Sequence, residues 1–110
     1  MRAPVRAGDL RTRVSIELQS RQPDGQGGWL VTWVAVADVW AGVWPRSVGE
    51  SVQHGRPAGT ATHDIWLRYR PNIKPEMRIV AGARVFGILG VMDVEDRKRW
   101  LKCIVEERDL

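Results

Sequence analysis

The stretch DIWLRYRPNIKPEM, residues 64–77, decides the fold class. Ile65, Leu67 and Tyr69 alternate with Trp66, Arg68 and Arg70, the period of two that marks a half-buried strand. Pro71 and Pro75 stop the ladder, because proline has no N–H to donate. One face of this strand is apolar and the other carries a tryptophan and two arginines. Strand signals and turns recur on both sides of it, with almost no helical periodicity. TRVSIEL (12–18) alternates Val14, Ile16 and Leu18 against Arg13, Ser15 and Glu17. RQPDGQGG (21–28) reads as a long hairpin connection. WLVTWVAVADVWAGVW (29–44) is too long for one ordinary strand, and reads as two segments bending near residues 37–38 or as one strand with a bulge. MRIV (77–80), RVFGILGV (84–91) and WLKCIVEE (100–107) are the remaining strands. The expectation is an all-β chain: a small antiparallel β-barrel with long loops and at most one short helical turn, around residues 47–53.

At 110 residues the chain is expected to form one domain, residues 1–110, with a flexible N-terminal arm over residues 1–9. A single cysteine, Cys103, rules out a disulfide framework within the chain and suits a reducing cytoplasm. No apolar run approaches the ~20 residues that span a bilayer, and MRAPVRAGDL lacks the apolar core of a signal peptide. Residues 1–90 hold 12 basic against 7 acidic groups, whereas residues 91–110 hold 5 against 6. Fourteen of the 17 basic residues are arginine, which favours bidentate contacts with carboxylate or phosphate. This balance is compatible with nucleic acid nearby and equally with a solvated surface.

Six tryptophans in so short a chain cannot all point into its core. Trp66 shares parity with Arg68 and Arg70, so these three are expected on the outer face as an interface, with Lys74 in the loop that follows. Tryptophan and arginine are the residue types most enriched at binding hot spots; the alternative is that such tryptophans cover the ends of the sheet. Catalytic patterns are nearly absent, and an enzyme is not expected. Adjacent His63 and Asp64 fall on opposite faces of a strand, which spoils a relay. His54 lies near Ser47 and Ser51 without a nucleophile-elbow pattern. Cys103, with Leu101 and Val105 as same-face neighbours, is expected in the core. His54, His63 and Cys103 have no metal-ligand spacing, so neither metal nor cofactor is expected. The acidic turn of Asp93, Glu95 and Asp96 is followed by Arg97, Lys98 and Arg99 and should neutralise itself.

Taken together in order, GDLRTRVSIE, the Gly27 and Gly28 turn, TWVAVADVWAGVWP, HDIWLRYRPNIKPEMRI and RVFGILGVMDVEDRKRWLKCIVEE resemble the bacteriophage head–tail joining proteins, also called head-closure or stopper proteins. The resemblance covers nearly the whole chain. It departs at Gln26, where an aromatic is common, and at residues 55–59, where relatives often continue a short helix. It implies a small β-barrel that forms a homo-oligomeric ring at the head–tail connector of a tailed phage or a gene transfer particle. The implied ring closes the exit of the packaged double-stranded DNA and offers a docking face to the tail. Its implied partners are adaptor and portal ring proteins, tail proteins and further copies of itself, with no membrane. Its place would be the virion, after assembly in the bacterial cytoplasm. The long loop of residues 45–62 is then the candidate for the channel, with Arg46, His54 and Arg56 facing DNA phosphates. A tail-completion protein and a small single-stranded nucleic-acid-binding barrel, which would also combine arginines with aromatic platforms, are the alternatives.

Overall fold

The computed structural model of the chain describes residues 7–46 and 61–108. Alternating apolar residues make strands as expected, and the ladders show how they are joined. Strand β1 is Thr12–Pro23, β2 Trp29–Pro45, β3 His63–Arg68, β4 Arg78–Ala81, β5 Arg84–Asp93 and β6 Trp100–Arg108. They hydrogen-bond in the order β1-β2-β3-β6-β5-β4, every pair antiparallel. Strand β4 then returns to β1 through Ser15 opposite Val80, Ile16 opposite Ile79 and Glu17 opposite Arg78, so the sheet closes on itself.

Closure puts one face of each strand inside. Val14 and Ile16 of β1, Ala41 of β2, Ile65 and Leu67 of β3, and Ile79 of β4 meet Phe86 and Ile88 of β5 and Leu101, Cys103 and Val105 of β6 in one buried cluster. Each fully buried aliphatic or aromatic side chain contributes about 1.5–3 kcal/mol. The connection from β3 to β4 is tied down at both ends. Tyr69 N–H donates to the Arg99 carbonyl at 3.0 Å, and Ile88 N–H to the Met77 carbonyl at 3.0 Å.

Residues 29–44 belong to a single strand of 17 residues. Ile16 faces Ala37 and Glu17 faces Ala35, so Val36 is an extra residue without a partner. This bulge lets β2 serve two ends. Residues 41–45 pair with β3, while the earlier part runs with β1 beyond the closed sheet. Strand β1 likewise outruns its expected end, and Leu18, predicted inward by alternation, is 45% exposed because the strand has left the core by then. At the tip, Gly25 and Gly27 adopt φ of 82° and 85°, the left-handed region that glycine enters without steric cost. The Asp24 carboxylate accepts the N–H groups of Gln26 and Gly28 at 2.7 and 3.0 Å.

Helix is confined to two 3-10 turns among the described residues, Ala7–Asp9 and Val94–Asp96. The expectation of at most one is corrected. Three-residue turns carry no periodicity for a sequence pattern to reveal, and they serve as connectors. The turn expected around residues 47–53 lies outside the described residues. Of the expected N-terminal arm, residues 1–6 also lie outside them, and Ala7–Asp9 forms a turn whose Asp9 carbonyl rests over Gly42.

Candidate assembly surfaces

The connection between β2 and β3 leaves the sheet through a pinned neck. Arg46 N–H donates to the Thr62 carbonyl at 2.9 Å, and Thr62 N–H to the Val105 carbonyl at 2.8 Å. The Thr62 hydroxyl accepts Glu107 N–H at 2.7 Å. A guanidinium nitrogen of Arg46 lies 2.7 Å from Asp64 Oδ1, and the Asp64 side chain is only 7% exposed. The expectation that Arg46 faces phosphate is therefore revised: its charge faces a buried carboxylate of the next strand. His54 and Arg56, the other two residues assigned to the channel, lie outside the described residues.

Trp66 is not on an open surface. It is 3% exposed, between Gly42 of β2 and Lys102 of β6. Gly42 leaves room on one side, where the Trp44 ring folds across it. On the other, the Lys102 ammonium sits 5.9 Å from the Trp66 ring, and Lys102 is itself 8% exposed. Parity was right, since Ile65 and Leu67 do face the core. Parity assigns a face, however, and not what covers it: here long side chains of the neighbouring strands cover the outer face of β3.

The other three residues of the expected interface come together at one end of the sheet. Arg68 is exposed and lies over the Trp100 ring at 5.6 Å. Arg68, Tyr69 and Arg70 line a groove of about 600 Å³ with Leu10, Val39 and Trp40. Arg70 and Lys74 share a second hollow, of about 370 Å³, with Leu18, Val36, Ile73 and Met77. A ladder of arginine on tryptophan that sequence reasoning missed continues from there: Arg13 over Trp40 at 5.5 Å, Arg78 over Trp33 at 4.2 Å and Arg21 over Trp29 at 5.8 Å. Arg78 also donates to Glu17 Oε1 at 2.7 Å. Only the register of β1 on β2 and β4 brings these pairs together. In the acidic turn, Glu95 lies 4.0 Å from Arg97 with both side chains exposed, and the Asp93 carboxylate accepts the Lys98 backbone N–H.

Four described titratable groups have pKa values shifted by their surroundings in the core and around Glu107. Burial pushes the Cys103 thiol up to about 12, in keeping with its place in the core. Arg84 grips Glu107 with two hydrogen bonds of 2.8 and 3.1 Å, holding that carboxylate below its ordinary value. His63 packs edge-on against Phe86 and stands 4.0 Å from Glu107. Burial draws its pKa down, opposed by Glu107 and aided by Arg84. The unfolded chain therefore takes up this proton first. The His63 contribution to stability is complete above the ordinary value of 6.5 and is lost as pH falls through the folded-state pKa. The Tm should start to fall below pH 6.5; in His63→Gln the fall should be delayed to the carboxylate range. Identical pH profiles for the two proteins would refute this role for His63. Among the described residues no group of three or more His, Cys, Asp or Glu could hold a metal ion.

The chain is thus a closed all-β sheet with a pinned connection and an arginine–tryptophan surface. Residues 5–108 match the family described as phage head completion protein. The chain belongs to that family, and its place is the virion. The chain is similar to the solution structure of protein SF1141 from Shigella flexneri 2a, with 30% identity and a TM-score of 0.71 over 92% of this chain and 95% of that one. A chain from the virion of a native gene transfer agent particle is 28% identical with a TM-score of 0.62, over 90% of this chain and 96% of that one. No curated protein matches.

Proposed function

We propose that this chain is the head-closure subunit of a tailed phage or gene transfer particle: copies form a ring below the portal and adaptor, close the DNA exit after packaging and present a docking face to the tail. Membership of the phage head completion family supports the connector role. The pinned neck is the observation that carries closure. Hydrogen bonds at Arg46 and Thr62 and the Arg46/Asp64 pair return both ends of the connection to one point of the closed sheet, which supports reading the residues between them as a functional loop. Connections of this length are often functional. In this reading His54 and Arg56 face phosphate, an interaction that weakens as salt rises. Arg46 holds the base of the loop. Arg68, Arg70 and Lys74, gathered at one end of the sheet, form the surface that meets adaptor or tail.

Replacing residues 48–60 by a short Gly/Ser linker tests closure in packaged heads purified from cells that lack tails. Those heads are expected to carry the variant ring and become nuclease-sensitive, while the closed sheet keeps its β circular dichroism. Heads that hold DNA as well as wild type and still accept tails would show that the loop closes nothing. Recovery of the chain on tails and never on heads would favour tail completion. Salt-sensitive binding of oligonucleotides by the isolated monomer would favour a single-strand-binding module.

A further inference from the structure

The closed sheet accounts for only part of β1 and β2. Strand β4 takes residues 15–17 of β1, and β3 takes residues 41–45 of β2. Beyond these, the two strands pair with each other alone among the described residues. Residues 18–23 and 29–40 thus form a two-stranded ribbon with a free edge on each side.

An isolated two-stranded ribbon is marginal in water, and long apolar edges invite another strand. Along β2 this ribbon has little to discourage one, whereas the β1 edge is polar and carries Arg21 and Pro23. Residues 29–37 contain no charged group, and Trp29, Leu30, Val31, Val34 and Val36 are 45–60% exposed. Pro23 at the tip and the bulge at Val36 interrupt the free edges only locally.

We propose that residues 18–36 are an assembly arm that pairs edge to edge with the arm of a second copy, the free edge of β1 in one against the free edge of β2 in the next. The inference deepens, and rests on, the reading of the chain as a ring subunit. A second copy is the occupant because both edges need cover. A foreign strand would cover one edge, whereas a head-to-tail repeat covers both with a single kind of contact and closes into a ring when its rotation permits. The size fits a weak contact that assembly must reinforce: each neighbour meets one edge only, residues 18–23 on one side and 29–36 on the other, fewer than the roughly 20–30 that one side of a standard interface contributes. The base of the arm, at Leu18 and Val36, borders the hollow with Arg70 and Lys74, whereas the groove of Arg68, Tyr69 and Arg70 with Leu10, Val39 and Trp40 holds no arm residue.

The test uses two full-length variants, Ser20→Cys and Thr32→Cys, one on each free edge, made together in the same cells. Cys103 is fully buried, so a short bis-maleimide linker reports only the introduced thiols. Concentrated purified chain and isolated particles are both treated. A cross-link joining Ser20→Cys of one copy to Thr32→Cys of another is expected, and adding Val31→Lys with Val34→Lys should reduce it at least about tenfold at unchanged Tm, because charge on an edge blocks strand addition. Cross-links only between like variants would mean two-fold pairing and overturn the head-to-tail arrangement. No mixed cross-link in either preparation, or one that survives the lysine pair, overturns the arm. Particles that protect DNA from nuclease without the mixed cross-link would remove this inference and leave head closure standing; leaking particles with the cross-link intact would do the reverse.

Discussion

Trp66→Ala is expected to lose about 3–5 kcal/mol of folding stability, the range for removing a buried tryptophan. Trp66 is 3% exposed, with Gly42 as its neighbour on β2 and Lys102 as its neighbour on β6. Truncation leaves a cavity that strands held in a closed sheet cannot easily collapse, and it strips the Lys102 stem of its support. Whole domains are stable by only about 5–15 kcal/mol, so the variant should approach the threshold of folding. Thermal denaturation followed by circular dichroism should show a Tm lower by roughly 10 °C or more. Trp40→Ala provides the contrast. Trp40 is 53% exposed, and its loss should change stability by about 0.5 kcal/mol or less while disturbing the groove with Arg68 and Arg70. A Trp66→Ala protein that melts within about 2 °C of wild type, under the same scaling, would return Trp66 to the surface. In that event the tryptophan would again belong with Arg68, Arg70 and Lys74.

Asp64→Ala should cost about 3 kcal/mol, the lower part of the range for breaking a buried ion pair by removing one partner. The Arg46 side chain retains 19% exposure, so water relieves part of its lost pairing. Global stability by denaturant titration is only half of the expectation. The same substitution should loosen the neck, raising amide exchange at Arg46 and Thr62 relative to the strand interior. Arg46→Met together with Asp64→Leu should recover most of the stability, because an apolar pair of similar bulk does not leave a charge that has lost its Asp64 carboxylate. Asp64→Ala with wild-type stability and wild-type exchange at both amides would show that the pair does not hold the neck.

Alternation along the chain was enough to place Val14 and Ile16, Ile65 and Leu67, and Leu101, Cys103 and Val105 on one inward face, because a strand's period of two is a local property. Pro71 and Pro75 marked where β3 must end, and the order of these pieces carried the family resemblance that residues 5–108 bear out. What lies over each face was not legible. Leu18 has the parity of Ile16 yet stands in solvent, whereas Trp66 has the parity of Arg68 yet is buried. Both outcomes depend on strands remote in the chain: β4 stops pairing with β1 at Glu17, and β6 lays Lys102 beside Trp66. The pairing of Arg46 with Asp64, and of each arginine with its tryptophan, is likewise a matter of register between strands. The sequence by itself determined the period of each strand, its breakers and the family; tertiary structure alone decided which outward faces are covered, where the neck is pinned and which edges stay free, since burial is set by neighbours that local spacing does not encode.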